Sequence, residues 1–440
     1  MPHYPVAPAD VHATLGRHLL ALGHRFVLDL EKSSGPFVRD AISGQEFLDF
    51  ASFYASNPLG FAAPALTDTA FQERLARVAT VKVANPDFYT TQFAEFVETL
   101  SRTAAPSSHP HYFFVEGGSL AVENAMKVAF DWKVRRNLAQ GHGELGGQIL
   151  HFERAFHGRS GYSLSVTNTD PAKTQYFPKF PWPRLPIPAM RFPQDAAAVD
   201  EVRELEALTL AKAERVFDQQ GSDIAAILIE PIQGEGGDNH FRSEFLQGLR
   251  RLADERGALL IFDEVQTGVG LTGNWWAHQQ LDVVPDIICF AKKLQVGGIL
   301  VSRRVDDVDS VFKVPSRISS TWGGSLVDMV RATRILETIE SEGLLSNATQ
   351  RGLELQHGLA TIAERFPGLV RNVRGRGLMC AVDLPTPEQR TALIKAAFAQ
   401  NLLLLPSGSQ TVRFRPFLNV KSEHLQEMLV RFAKAIDALR

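Results

Sequence analysis

The chain has 440 residues, with 46 Lys or Arg against 49 Asp or Glu and a net charge of -3. That balance leaves no electrostatic footprint for nucleic acid or for an anionic membrane surface, and no apolar run approaches the length of a membrane span. Partners are therefore expected to be small molecules or a second copy of the chain, and the length suits a large domain with a smaller companion.

The opening residues, Met1-Pro2-His3-Tyr4-Pro5-Val6-Ala7-Pro8, carry no basic region followed by an apolar core, so they read as the start of a soluble, unprocessed chain. A helix is expected near 10–23. Three short strands follow, Phe26–Leu30, Pro36–Asp40 and Glu46–Phe50, separated by Ser33-Ser34-Gly35 and Ser43-Gly44; this spacing predicts a small meander. From about 67 to 300, helical patterns alternate with the apolar runs His111–Val115, Gln148–Phe152, Ile224–Ile229, Leu259–Phe262, Ile287–Ala291 and Ile299–Val301. Such alternation predicts an α/β domain with a mostly parallel sheet covered by helices. Six prolines between Phe177 and Pro193 exclude a helix or a central strand there. The interleaved Phe177, Phe180, Trp182 and Phe192 suit an ordered surface excursion. After Val327 a long helix breaking at Gly343 leads into a compact α+β unit. It holds helices near 344–365, 387–400 and 422–439 and strands at Leu378–Leu384, Leu402–Leu405 and Thr411–Phe414. The resulting division is an N-terminal segment 1–66 belonging with the small domain, a large cofactor-binding domain 67–327, and a C-terminal small domain 328–440. The two cysteines, Cys289 and Cys380, lie in apolar runs far apart; they read as buried thiols in a reducing, cytoplasmic setting, with no metal site.

Two of these runs end in opposite polar residues. Leu259–Phe262 runs into Asp263 and Ile287–Ala291 into Lys292. Ligands of open α/β sheets bind beyond the carboxyl ends of the strands, so a carboxylate and an amine face one pocket. Pyridoxal phosphate needs that pair: a lysine to hold its aldehyde as a Schiff base, and an acid to keep the ring nitrogen protonated. The competing reading is a structural ion pair. Behind Asp263, Val265 is placed to press on a ring and Gln266 to bond its hydroxyl. Gly118 and Ser119 open a helix, where backbone amides hold an anion such as a phosphate; a plain helix start capped by Ser119 is the alternative. Thr321-Trp322-Gly323-Gly324 offers another hydroxyl among glycines, or an ordinary turn. Phe156 is suited to stack on a pyridine face opposite Val265, and Arg159 to grip a carboxylate. Arg413 and Arg415 lie in an alternating strand pattern, one expected toward solvent and one toward a ligand. Glu230 ends a buried run, and Glu235 follows on a flexible turn with three glycines, suited to act as a movable partner for an arginine.

The residues resemble a family, the class III aminotransferases of the fold type I pyridoxal phosphate enzymes. Asp263-Glu264-Val265-Gln266-Thr267-Gly268, with Pro285-Asp286-Ile287 and Ala291-Lys292, forms a specific signature. The likeness is fullest with the branch that transfers the ε-amino group of L-lysine to 2-oxoglutarate. Val115–Lys127, Ala155–Asn168, Phe177–Arg184, Glu230–Phe241 and Ser320–Gly324 carry it. Glu116 stands where the family usually has Ser or Thr, as in the lysine branch, and Phe417 replaces a second proline. The resemblance implies a large domain built on a mostly parallel sheet of the seven-stranded type, a smaller α+β domain, and a homodimer with active sites at its interface. It implies that Lys292 carries the cofactor and Asp263 binds the ring nitrogen, with Phe156 and Val265 sandwiching the ring. Gln266 serves the ring hydroxyl and the substrate beside it, while Gly118, Ser119 and a partner subunit's Thr321 bind phosphate. Arg159 takes the α-carboxylate of lysine or the distal carboxylate of 2-oxoglutarate; Arg413 takes the carboxylate beside the keto group, and Glu235 pairs Arg413 during the lysine half. Ornithine, 4-aminobutyrate or acetylornithine aminotransferases are the alternative within the fold, with residues near Phe53 and Tyr54 setting chain length. A non-catalytic cofactor-binding regulator needs a DNA-reading module, and residues 1–60 show no basic helix pair.

Overall fold

The computed structural model describes residues 5–439; Met1–Tyr4, at the head of the N-terminal reading, and Arg440 lie outside the described residues. A seven-stranded sheet organises the middle of the chain. Its order is His111–Val115, Gly297–Val301, Ile287–Phe290, Leu259–Asp263, Ile224–Ile229, Gln148–Phe152 and Arg184–Leu185. Only Gly297–Val301 runs against its neighbours; every other adjacent pair is parallel. The central strands are apolar because helices cover both faces, so their residues are buried without alternation. The 22-residue helix Gly118–Ala139 lies on Gly297–Val301, Ile224–Ile229 and Ile287–Phe290, burying Val122, Met126, Ala129 and Trp132. Among the described residues no helix is long and apolar enough to cross a membrane, and no cluster of three or more His, Cys, Asp or Glu is arranged to hold a metal.

The seventh strand, Arg184–Leu185, lies inside the proline-rich excursion. It occupies the sheet edge, where Pro183 needs no N–H: its carbonyl accepts from His151 N at 3.0 Å, and Leu185 O accepts from Glu153 N at 2.8 Å. Trp182 and Phe192 hold the excursion down, with Trp182 stacked on Phe180 at 5.0 Å and against Phe130 at 5.6 Å and Phe192 edge-on to His240 at 5.9 Å, whereas Phe177 is exposed.

A four-stranded antiparallel sheet, Arg371–Arg376, Met379–Asp383, Thr411–Phe414 and Leu405–Ser407, forms the core of the C-terminal unit. The first of these strands was hidden by its composition: Arg371-Asn372-Val373-Arg374-Gly375-Arg376 reads as a solvated basic run. Arg374 is buried nonetheless, because Asp383, Thr411 and the carbonyls of Asn372, Gly237 and Asp238 accept its hydrogen bonds. The N-terminal strands Phe37–Arg39 and Glu46–Asp49 join Leu402–Leu403, with Leu48 opposite Leu402.

Two N-terminal expectations are corrected. The helix spans only Val11–Gly16 after a short turn at Pro8–Asp10, because Leu19, Leu20 and Leu22 are exposed and have no surface to pack on. Phe26–Leu30 forms no strand beyond a bridge at Leu28, since Asp40 takes the backbone donor of Val27 with its carboxylate at 2.9 Å.

Candidate active site

Cys289 lies opposite Asp263 on adjacent parallel strands, so Asp263 and Lys292 emerge at the same sheet edge. They open into a pocket of about 410 Å³. Nine residues singled out from the sequence line it: Gly118, Ser119, Phe156, Arg159, Glu230, Asp263, Val265, Gln266 and Lys292. Among the described residues Asp263 and Lys292 form no ion pair, which removes the structural-pair reading. Asp263 instead bonds His157 Nδ1 through Oδ2 at 2.8 Å and accepts from Val265 N through Oδ1 at 3.0 Å. Desolvation lowers the pKa of the Lys292 amine, helped by the positive charge of Arg413 and opposed by Asp263, Glu230 and Glu235. A lowered pKa leaves more of the amine neutral and nucleophilic.

His157 was not singled out, although it sits between Phe156 and Gly158 in a motif that was. Its ring is buried, and Nε2 has no hydrogen-bond partner. Glu230 is equally buried. Its oxygens accept from Phe156 N and Gly234 N, each at 3.0 Å, so it ties the ring-facing segment to the glycine loop. Desolvation and then the neighbouring Asp263 raise its pKa to about 7, against the pull of His157.

At the start of Gly118–Ala139, Gly117 occupies the cap position with φ 93° and no side chain caps the helix. Ser119 is not that cap, because its hydroxyl is taken by Ser160 and Ser163, both at 2.6 Å. The first amides are therefore available to an anion. A Cβ at Gly118 would stand 2.8 Å from Val265 Cγ1, so only glycine lets the backbone and Val265 share this corner. Glu116 pairs with Lys82 at 2.8 Å and is not among the residues lining the pocket. Thr321 is exposed and also lies outside that lining.

Beside the pocket, Arg413 Nη2 meets Glu235 Oε2 at 2.9 Å, and Lys173 Nζ meets Glu235 Oε1 at 2.5 Å. Burial favours protonation of Glu235, but Arg413 and Lys173 outweigh it and hold the carboxyl below its ordinary range. Lys173 had no signal in sequence. The expectation that one of Arg413 and Arg415 faces solvent is corrected: they are 1% and 0% exposed. Both therefore lie inside, Arg413 on the strand Thr411–Phe414 and Arg415 just past its end. The flexible turn is corrected too. Gly408 N donates to Glu235 O at 2.9 Å, Ser407 Oγ to Gly234 O at 2.5 Å, and a Cβ at Gly236 would lie 1.9 Å from Arg154 O. The loop is clamped.

Tyr54 also reaches this corner, its ring 5.6 Å from Arg413. It sits on a turn whose four residues, Ser52 to Ala55, have φ between 40° and 66°. Such a turn costs roughly 1–2 kcal/mol per residue. Asp49 supports it by accepting from Ala51 N at 2.7 Å and Ser52 N at 2.9 Å. Phe53 packs edge-on against Phe61 instead.

Residues 21–436 match the family model described as aminotransferase class-III. The chain belongs to the class-III aminotransferases. An L-lysine-epsilon aminotransferase of Mycobacterium tuberculosis is 52% identical over 438 residues, covering 99% of this chain and 97% of that protein. One from Amycolatopsis lactamdurans is 50% identical over 430 residues, covering 97% and 95%. A solved structure described as lysine aminotransferase from M. tuberculosis in the internal aldimine form superposes with a TM-score of 0.97, at 51% identity over 99% of this chain and 100% of that one.

This aminotransferase therefore uses pyridoxal phosphate, and the pocket suits it. A half-buried amine stands at one side and an acid backed by an imidazole at the other, with free helix amides beside them and Phe156 and Val265 in the same lining.

Proposed function

We propose that this aminotransferase moves the ε-amino group of L-lysine to 2-oxoglutarate, giving 2-aminoadipate 6-semialdehyde and L-glutamate. The observation that carries the reading is the asymmetry of the two arginines. Arg159 faces the pocket without an ion pair among the described residues, while Arg413 is buried and neutralised by Glu235. One carboxylate is thus recognised by default, as lysine requires with its amine at the far end. A second is admitted only by displacing Glu235, as 2-oxoglutarate requires. Breaking a buried pair without replacement costs about 3–5 kcal/mol, so Glu235 leaves Arg413 only when a substrate carboxylate arrives, and Lys173 keeps hold of its other oxygen.

Pyridoxal phosphate, when bound, supplies an aldehyde and an electron-accepting ring. In this reading Lys292 would hold that aldehyde and, once its amine is freed, would move a proton at the ε-carbon of the substrate. Asp263, oriented by His157, would keep the ring nitrogen protonated. Phe156 and Val265 would pack on the ring, Gln266 would donate to its hydroxyl, and Gly118, Ser119 and Thr321 of the partner subunit would hold phosphate. The aldehyde product closes onto its own α-amine without help.

A homodimer is part of this proposal. Thr321 is exposed and outside its own pocket, and Phe88 and Tyr89 are 70% and 82% exposed. The accessible surface, 19808 Å², exceeds by about a fifth the roughly 16,600 Å² expected of a compact monomer of 48.6 kDa. The domain division at about 66 and 327 is proposed with it, supported by the pairing of Leu48 with Leu402. The buried free thiols support a cytoplasmic location.

Mixing cofactor-loaded enzyme with lysine alone tests the substrate: the visible spectrum should convert to the amine form in one turnover. Conversion by ornithine or 4-aminobutyrate more than about tenfold faster than by lysine would assign the chain to another branch. Glu235→Ala should lower kcat/KM for lysine by about 10²-fold or more, because Arg413 is left uncompensated, and leave the 2-oxoglutarate half-reaction within about threefold. Equal losses in both halves would refute the switch.

A further inference from the structure

Arg413, on the strand Thr411–Phe414, and Arg415, just past its end, are both buried, yet their guanidinium groups are used differently. Arg413 leaves Nε and Nη1 without partners, which suits a group that waits for a substrate carboxylate. Arg415 leaves no nitrogen unsatisfied. Nη1 donates to Cys380 O at 3.2 Å and Phe414 O at 3.0 Å, and Nη2 to Asp238 Oδ1. Nε and Nη2 both donate to Gln266 Oε1, at 3.2 and 3.1 Å. Those contacts match all five N–H groups of a guanidinium.

We infer that Arg415 is a positioning residue that fixes the Gln266 side-chain amide with its oxygen turned inward and its NH₂ turned into the cofactor pocket. A guanidinium has donors and no acceptor, so it selects the amide oxygen and forbids the flipped rotamer. Gln266 lines the pocket, and its Nε2 makes no hydrogen bond among the described residues. The charge of Arg415 is matched by Asp238; both side chains are fully buried. Asp238 closes the glycine loop that carries Glu235, so the amide that meets the ring is braced from the loop that bears the carboxylate switch.

The inference rests on the reading that Gln266 meets the ring hydroxyl. A donor there favours the ionised hydroxyl, whereas an amide free to turn presents its oxygen and favours the protonated form. Arg415 thereby sets the pH at which the visible absorbance of the cofactor-loaded enzyme titrates. The other charged groups around the ring, Asp263, Glu230, Glu235, His157, Arg159 and Arg413, are common to all variants, and the charge lost at Arg415 itself is separated by the double variant, which keeps that loss and lacks the amide.

The test is an absorbance titration of loaded wild type, Gln266→Leu, Arg415→Met, Arg415→Lys and the double variant Gln266→Leu/Arg415→Met. Gln266→Leu and Arg415→Met should each raise the midpoint by about one pH unit, the scale of one hydrogen bond. Arg415→Lys should move it less, and Arg415→Met should add nothing once Gln266 is gone. A wild-type midpoint in folded Arg415→Met, or a double variant whose midpoint lies a further full shift beyond that of Gln266→Leu, would overturn the inference. Should Arg415→Met not fold, Arg415→Lys carries the test alone and in the Gln266→Leu background. An unmoved midpoint in Gln266→Leu would instead sink the reading of Gln266, leaving a distinct signature.

Discussion

Lys292→Ala is expected to lower turnover by at least about 10⁴-fold, the upper range for losing a general acid–base group, with the covalent anchor of the cofactor lost in addition. The structure makes this residue hard to replace. Its neighbour Lys293 is buried and committed to Gln266 O at 2.7 Å, so the adjacent amine has no route into the pocket. Desolvation favours a neutral amine at Lys292, as a nucleophile requires, and keeps it available between half-reactions. Steady-state transamination measures the loss. A small external amine should restore a minor part of the rate, since it replaces the proton carrier without the effective concentration of a tethered one. Full activity in Lys292→Ala would remove the assignment altogether.

Asp263→Asn should reduce kcat by about 10²–10⁴-fold, corresponding to roughly 3–5 kcal/mol for breaking a buried charge pair, while cofactor remains bound. The carboxamide is close in shape and keeps an oxygen for Val265 N, so the fold should tolerate it. What it lacks is the negative charge proposed to hold a proton on the ring nitrogen, and His157 would lose its charged partner as well. The check is kcat together with the cofactor content of the purified variant. Retention of kcat within about tenfold would mean that Asp263 serves only to hold His157.

Most of the large domain was legible because its strands are short apolar runs buried on both faces, and burial of that kind leaves its mark in consecutive residues. The C-terminal strand Thr411–Phe414 was legible for a similar reason. Arg371–Arg376 was not. A basic run reads as solvated, and only the acceptors brought by Asp383, Thr411 and the glycine loop make Arg374 a core residue. The N-terminal helix failed in the opposite direction, since an apolar pattern was present but no surface came to meet it.

The candidate site divides in the same way. Asp263, Lys292, Gly118, Phe156, Val265 and Gln266 stand at strand and helix ends, where local chemistry announces a ligand edge. Their relation to His157, Glu230 and Arg415, like that of Lys173 to Glu235, depends on residues 62 to 149 positions apart being packed within a hydrogen bond of each other. By itself the sequence determined the sheet, the carboxylate and amine at its edge, and the class of cofactor, because each is written in contiguous residues. Only the tertiary structure decided that Asp263 answers to His157 rather than Lys292, that the Glu235 loop is clamped, and that both arginines face inward. Those outcomes turn on which buried charges find partners, and pairing between distant segments leaves no periodic trace in the chain.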